Sequence, residues 1–300
     1  MDVPFWSVDT LFYTKPVKNN NPKFQYYLFQ TIDWLKYNEA SGVPSLSAST
    51  IEHIQKYIPV DQEQQKIADF FSALDEKIAL AERKLSVLQT LKSGLMQKIF
   101  NREIRFKRED GSSFCDWQAK TIADIGAVTT GMTPLTKEKS YYGGEYLFCG
   151  PADLNEQKYV SSCAKGLTRI GLDVARKIPT GAILITCIGS TIGKMGIAAR
   201  ELATNQQINS LVVSNDMDNE FVFYAIKHNF YKFIGEIGKQ AVPILSKGKL
   251  EKQKLLVACK EEQQIIGRFL KGIDDKILLQ QRMLRVVRQQ KQAFMQQMFV

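Results

Sequence analysis

A chain of 300 residues has room for one or two domains with hydrophobic cores, and its 44% apolar content is ordinary for a folded protein. No apolar run approaches the roughly eighteen residues of a membrane span, and MDVPFWSVDT lacks the basic and apolar regions of a secretory signal, so a cytoplasmic protein without membrane attachment is expected. The net charge of +9 is uneven: residues 101–260 carry 22 Lys/Arg against 16 Asp/Glu, whereas residues 1–62 carry 5 against 6, so one segment holds most of the excess that could meet phosphates. Five scattered cysteines (Cys115, Cys149, Cys163, Cys187, Cys259) without a CxxC pair read as reduced packing thiols, and His53 and His228 stand far apart, which argues against redox chemistry and zinc.

In chain order, residues 1–58 contain an aromatic run, KFQYYLF (23–29), and the string VPSLS (43–47). A heptad pattern follows Pro59, in which Ile67, Phe71, Leu74, Ile78, Ala81, Leu85, Leu88, Leu95 and Ile99 fall on alternating four- and three-residue steps that only Lys92 interrupts. Such a 3.5-residue period keeps one stripe facing a partner helix. The expected helix of about 38 residues would be roughly 57 Å long, with Asp61, three residues before Gln64, as its N-cap. The polar stretch 101–114, NREIRFKREDGSSF, reads as a linker. Between it and residue 260 lie β-rich runs at Gly181–Ile188 and Ile208–Ser214, turns at Thr130-Gly131, Gly143-Gly144 and Gly189-Ser190, and an aromatic-rich helix from about Glu220 to Ile234. A second heptad helix carries Ile266, Leu270, Ile273, Ile277, Leu284, Val287, Phe294 and Met298, interrupted by Gln280 and Lys291.

These parts are related to one another. Aligned without a gap at a spacing of 199 residues, Val43-Pro44 falls on Val242-Pro243, Leu46-Ser47 on Leu245-Ser246, and Glu63-Gln64-Gln65 on Glu262-Gln263-Gln264. Ile67, Phe70, Asp75, Lys77, Ile78, Arg83, Leu85, Val87, Lys92, Met96, Gln97 and Phe100 recur in the same way. Unrelated amphipathic helices would share apolar spacing but not the EQQ triplet or the Met-Gln-x-x-Phe ending, so the pattern is a duplication. Two matching stripes can pair with each other, which predicts an antiparallel coiled coil acting as a ruler. Upstream, Leu11-Phe12-Tyr13 aligns with Leu211-Val212-Val213 and KFQYYLF with EFVFYAI (220–226). The chain therefore reads as one complete unit plus the end of another, with roughly 100 residues missing by comparison with the intact copy.

Several strings carry a family likeness. TTGMTPL…YYGGEY (129–146), IPTGAILITCIGSTIGKMGIA (178–198), ATNQQINSLVV (203–213) and VPxLS before a helix with EQQ occur in this order, and with them the chain resembles the specificity subunit of type I restriction–modification systems, here truncated at its N-terminus. The likeness implies an α+β fold, a mixed α/β target-recognition domain with two long conserved helices forming an antiparallel coiled coil. It divides the chain into the C-terminal remnant of a first recognition domain (1–58), spacer helix 1 (59–101), a complete second recognition domain (102–258) and spacer helix 2 (259–300). It further implies a non-catalytic subunit that directs methyltransferase (modification) and translocase/endonuclease (restriction) subunits to a split site on double-stranded DNA in a prokaryotic cytoplasm, associated with the nucleoid. No cofactor is implied in this chain, since S-adenosylmethionine, ATP and Mg²⁺ would serve the partner subunits. The sequence departs from the family pattern in its truncated first domain and in Ala258-Cys259-Lys260, which stands where a proline is usual before the second helix, as Pro59 is before the first.

Catalytic readings fare worse. GSTIGKM (189–195) has three residues rather than four between its glycines, and Met195 stands where a Mg²⁺-binding Ser or Thr is required, so a tight turn is favoured over a P-loop. Asn21-Pro22-Lys23-Phe24 lacks the second proline of an adenine-methyltransferase loop, and Asp153 lies too near Glu156-Gln157-Lys158 for a nuclease site. No catalytic or metal site is expected. DNA contact asks only for cations to neutralise phosphates and for amides and hydroxyls to read base edges. The candidates are Thr133, Lys137, Lys139, Tyr141, Tyr142, Arg169, Ser190, Thr191, Lys194, Asn205, Gln206 and Gln207, each of which has a solvated or structural role as its alternative. Ile67, Phe71, Leu74, Ile78, Leu85, Leu88, Ile266, Leu270, Ile273, Ile277, Leu284 and Val287 are the candidate helix-pair and partner interface, which could also support a homodimer. A competing reading is a half-subunit that acts only as a dimer or assembly module, or that has lost DNA reading.

Overall fold

The computed structural model describes residues 11–15, 17–40, 42–154, 157–235 and 243–299. In chain order the elements are α1 (Pro22–Gln30), α2 (Ala48–Glu52), α3 (Asp61–Phe100), β1 (Gln118–Thr121), α4 (Ile122–Ile125), β2 (Gly126–Thr130), β3 (Tyr142–Cys149), β4 (Tyr159–Val160) and β5 (Lys165–Leu167). They continue with α5 (Arg169–Val174), β6 (Lys177–Ile178), β7 (Ile183–Thr186), β8 (Met195–Ala198), β9 (Leu202–Thr204), β10 (Ile208–Val213), α6 (Asn219–Gly235), α7 (Lys247–Glu251), β11 (Lys254–Val257) and α8 (Lys260–Met298). The fold is α+β, with 47% of the described residues helical and 18% in strands. It divides into two compact units, residues 1–89 with 276–300 and residues 90–275.

In unit 1, α3 packs antiparallel to α8. Phe70 meets Phe294 with ring centroids 5.2 Å apart, Asp75 binds Lys291 at 2.6 Å, and Gln280 donates to the Ala81 carbonyl at 3.3 Å. Ile67, Phe71, Leu284 and Val287 are buried in the seam, while Leu74, Ile78, Leu85, Leu88 and Ile277 are half-buried along it. Phe294 and Met298, expected in that stripe, lie at its margin, 37% and 41% exposed although Phe294 meets Phe70, and Met295 and Phe299 pack against the cluster that includes α1. The residues that break the heptads are not gaps: Lys291 pairs with Asp75, and Gln280 meets its own repeat counterpart, Ala81.

The start of α3 differs from expectation. Asp61 is the first helical residue rather than the cap, where its charge favours the positive helix end. Gln64 instead ties α3 to what precedes it, accepting from the Asn21 N–H at 3.0 Å and donating to the Pro59 carbonyl at 2.8 Å. Gln263, its repeat counterpart in unit 2, accepts from the Asp218 N–H at 2.8 Å and donates to the Ala258 carbonyl at 2.8 Å. The middle glutamine of EQQ is thus a joint between each long helix and the N-terminal end of an earlier one, α1 for α3 and α6 for α8.

Unit 2 holds three sheets. The strand orders are β2-β10-β7-β8-β4, β5-β3-β9-β6 and the pair β1-β11. Pairings are antiparallel except β3 with β9 and β4 with β8. Leu147, Leu154, Ile178, Leu184, Leu202 and Ile208 form one core cluster, and Phe148, Leu167 and Leu172 another. At about 1.5–3 kcal/mol per fully buried aliphatic or aromatic side chain, this burial is what holds the short strands together. Two sequence readings are corrected here. Gly143-Gly144 is no turn; it lies inside β3, where Gly143 at φ 85° accompanies a register shift between Tyr142 and Tyr146. Residues 101–114 are no free linker either: Arg105 grips the fully buried Glu262 through two 2.9 Å bonds, and Phe114 is buried.

Candidate nucleic-acid interface

Three loops of unit 2 converge. The first leaves β2 at Gly131, where the Met132 N–H donates to the Thr204 carbonyl at 2.9 Å. A Cβ on Gly131 would sit 2.2 Å from the Asn205 carbonyl oxygen, so this close approach requires glycine. The second loop, Asn205–Gln207, joins β9 to β10; its Asn205 side chain accepts from the Gln207 N–H at 3.1 Å and donates to the Gln207 amide oxygen at 3.0 Å. Thr133 bridges the two loops by donating to Gln206 Oε1 at 2.6 Å. The third loop joins the antiparallel strands β7 and β8 and carries Ser190, Thr191 and Lys194; the Cys187 N–H ties its start to the Gln207 carbonyl at 2.8 Å. A strand–turn–strand path without a following helix removes any P-loop geometry from GSTIGKM.

The remaining candidates extend this surface. Tyr142 donates to the Pro134 carbonyl at 2.7 Å, which anchors the loop bearing Lys137 and Lys139; burial raises its phenol pKa. Tyr141 passes its backbone to Thr168, the N-cap of α5, whose first residue is Arg169. Arg169 lies 5.8 Å over the Tyr146 ring and 3.4 Å from Asp173, so its charge is partly answered within the protein. Among the described residues no carboxylate pairs with Lys137, Lys139 or Lys194. Sequence reasoning missed Arg176, whose guanidinium donates to the Thr130 carbonyl at 2.9 Å beside the first loop. No motif marks it, and only the fold brings it there. Asn21, weighed above as part of a methyltransferase loop, is the N-cap of α1, accepting from the Lys23 and Phe24 N–H groups. Lys158 sits in an internal ion cluster with Glu220 and Asp274, and Glu156 lies outside the described residues.

A second surface belongs to unit 1. Leu80 and Leu279, which share a repeat position, are 68% and 60% exposed, and Val87, Val286 and Met283 are exposed beside them. Each long helix thus buries one apolar stripe in the seam and presents a second outward.

A family model described as the type I restriction modification DNA specificity domain matches residues 1–90 and 115–289. The chain belongs to this family. It is 33% identical over 185 residues to the MjaIX specificity subunit of Methanocaldococcus jannaschii, a match covering 59% of this chain and 43% of that one. Identity is 26% over 167 residues to the HindI specificity subunit of Haemophilus influenzae, covering 54% of this chain and 36% of the relative. These matches span less than half the length of either relative. The fold is also that of the type I S subunit from M. genitalium, with TM-score 0.62, 14% identity and coverage of 93% of this chain and 72% of that one. A chain solved in a study of type I complex assembly and conformational transition matches with TM-score 0.57 and 17% identity over 94% and 72% of the two chains. No helix among the described residues is long and apolar enough to cross a membrane.

Proposed function

We propose that this chain is a non-catalytic subunit, working in the cytoplasm, that reads one half of a split DNA site through unit 2 and directs methyltransferase and restriction subunits to it. The observation that carries this reading is the convergence of Thr133, Asn205–Gln207 and Ser190–Lys194 on one loop cluster, flanked by lysines that pair with no carboxylate among the described residues. Amides and hydroxyls held by neighbours suit the reading of base edges, and lysine cations beside them suit setting register on phosphates. The outward apolar stripe of α3 and α8 is where partner helices would dock, the burial of Leu80 and Leu279 supplying the driving force. Titrating the purified chain, with its methyltransferase partner, onto duplex DNA tests the reading. Binding should weaken steeply with salt as phosphate contacts release counterions, and absence of duplex binding at low salt would sink it.

One observation favours a second reading, in which two copies combine. Leu11, Phe12 and Tyr13 are largely exposed, whereas Leu211, the repeat counterpart of Leu11, is fully buried in β10. A partner copy could cover that apolar segment. Light scattering alongside the DNA titration distinguishes the two: a stable dimer that binds no DNA alone or with partner subunits supports the assembly role.

A further inference from the structure

The cysteines, unpatterned in sequence, are not scattered in space. Cys149 closes β3 and is fully buried, while Cys163, half-buried, stands before β5, and their sulfurs lie 2.6 Å apart. Asp153 holds them there: one carboxylate oxygen accepts from the Gly150 N–H at 2.8 Å and the other from the Ala164 N–H at 2.8 Å, the residues that follow the two cysteines. The three side chains would also suit a small cation, since their ligand atoms lie within 4.8 Å of one another. Two features tell against that. Both Asp153 oxygens are already engaged, and two thiolates on one tetrahedral zinc, with Zn–S near 2.3 Å, would stand about 3.8 Å apart.

We infer that Cys149 and Cys163 are a thiol pair that closes to a disulfide under a peroxide oxidant. The half-exposed Cys163 sulfur attacks a peroxide oxygen, the O–O bond breaks, and hydroxide leaves as water after taking a proton. The Cys149 sulfur then displaces the sulfenic oxygen as a second water, so two thiols and one hydrogen peroxide give one disulfide and two waters. Cys149 stays protonated until that step, because its contact with Cys163 and its burial hold the thiol pKa up. The bond would fasten the floor of the candidate reading loop, since the Asn205 N–H donates to the Cys149 carbonyl at 3.0 Å. The inference does not depend on DNA reading.

The test uses the full chain carrying Cys115→Ser, because Cys115 is exposed and hydrogen-bonds Cys259. The reduced protein is exposed to hydrogen peroxide, quenched, alkylated in denaturant and mapped by mass spectrometry. The expected result is loss of alkylated Cys149 and Cys163, a peptide cross-link between them that dithiothreitol reverses, and an unchanged Cys187. Adding Cys163→Ser should abolish the cross-link while circular dichroism stays native. Retention of both alkylated cysteines, conversion of Cys163 to a sulfinate without a link, or stoichiometric bound zinc that blocks oxidation would each overturn the inference.

Discussion

Glu63 and Glu262 occupy the same position in the repeat and meet different fates. Glu63 is exposed in the first turn of α3, whereas Glu262 is fully buried, gripped by Arg105 and receiving the Trp117 indole N–H at 3.0 Å. A second pair makes the same point. In unit 1, Tyr27 donates to Asp75 at 2.8 Å and Lys291 lies 5.2 Å over the Tyr27 ring; in unit 2, Tyr224 donates to Asp274 and Lys92 lies 5.2 Å over the Tyr224 ring. The node is duplicated with the sequence, down to the ring contacts of Phe299 with Phe24 at 5.4 Å and of Phe100 with Phe221 at 5.6 Å. Among the described residues, unit 2 alone adds to it: Lys158 reaches Glu220 at 2.7 Å, the Tyr224 hydroxyl at 2.9 Å and Asp274 at 3.5 Å. A repeated joint is therefore open in one copy and enclosed by Arg105, Trp117 and Lys158 in the other.

Substitution at matched positions should expose this difference, with the largest effect first. Glu262→Ala leaves Arg105 and Trp117 without their acceptor and should cost about 3–5 kcal/mol, against about 0–0.5 kcal/mol for Glu63→Ala on the surface. Hydrogen exchange resolved by unit is the measurement, because a chain of two units need not unfold in one step. Equal losses would mean that the two sites are held alike. Asp274→Ala should cost unit 2 about 3 kcal/mol, since Lys92 and Lys158 are mostly buried. Asp75→Ala should cost unit 1 less, about 1–2 kcal/mol, because the 36% exposure of Asp75 lets water screen the pair. Tyr27→Phe removes one neutral-to-charged hydrogen bond and should cost about 1–2 kcal/mol; burial, with Asp75 nearby, pushes that phenol up to about 12, so it remains the donor at any physiological pH.

Acid sharpens the comparison further. Burial works to raise the Asp274 carboxyl pKa, and the bond and charge of Lys92, with Tyr224 and Lys158, outweigh it, so the folded value lies below the ordinary one. Stability from this group is then present above its unfolded pKa of about 3.9 and lost as pH falls through the folded value. Protection around Asp274 should decline below pH of about 4 in the parent chain and lose that dependence in Asp274→Asn. The smallest effect on folding belongs to Leu80→Ser and Leu279→Ser, within about 0.5 kcal/mol because both side chains are exposed, yet the pair should abolish co-purification of a partner subunit if the outward stripe is its dock.

The repeat and the seam were legible because a 3.5-residue period and a fixed 199-residue spacing are local signals. Lys92 and Lys291 were legible only as interruptions, since their aspartates come from the opposite copy and antiparallel register has no sequence marker. Laying KFQYYLF on EFVFYAI already matches Tyr27 to Tyr224, but their bonds to Asp75 and Asp274 were not legible, because those partners lie 48 and 50 residues further along the chain. The sheet orders rest on pairings between segments far apart in the chain, and a glycine pair such as Gly143-Gly144 signals an irregular backbone without saying whether it turns or bulges. Arg176 and the Cys149–Cys163 pair were hidden for the same reason: the strands that bring each to its neighbours leave no motif.

The most direct test is enrichment of bound duplexes from a random pool by the chain with its methyltransferase partner, repeated for Gln206→Ala and Lys194→Ala. The account predicts one enriched motif, relaxed at a single position by Gln206→Ala at a cost of about 1–3 kcal/mol, with Lys194→Ala weakening all sequences alike and lowering the salt slope by about 1. Binding without any enriched motif, or a motif indifferent to both substitutions, would contradict it.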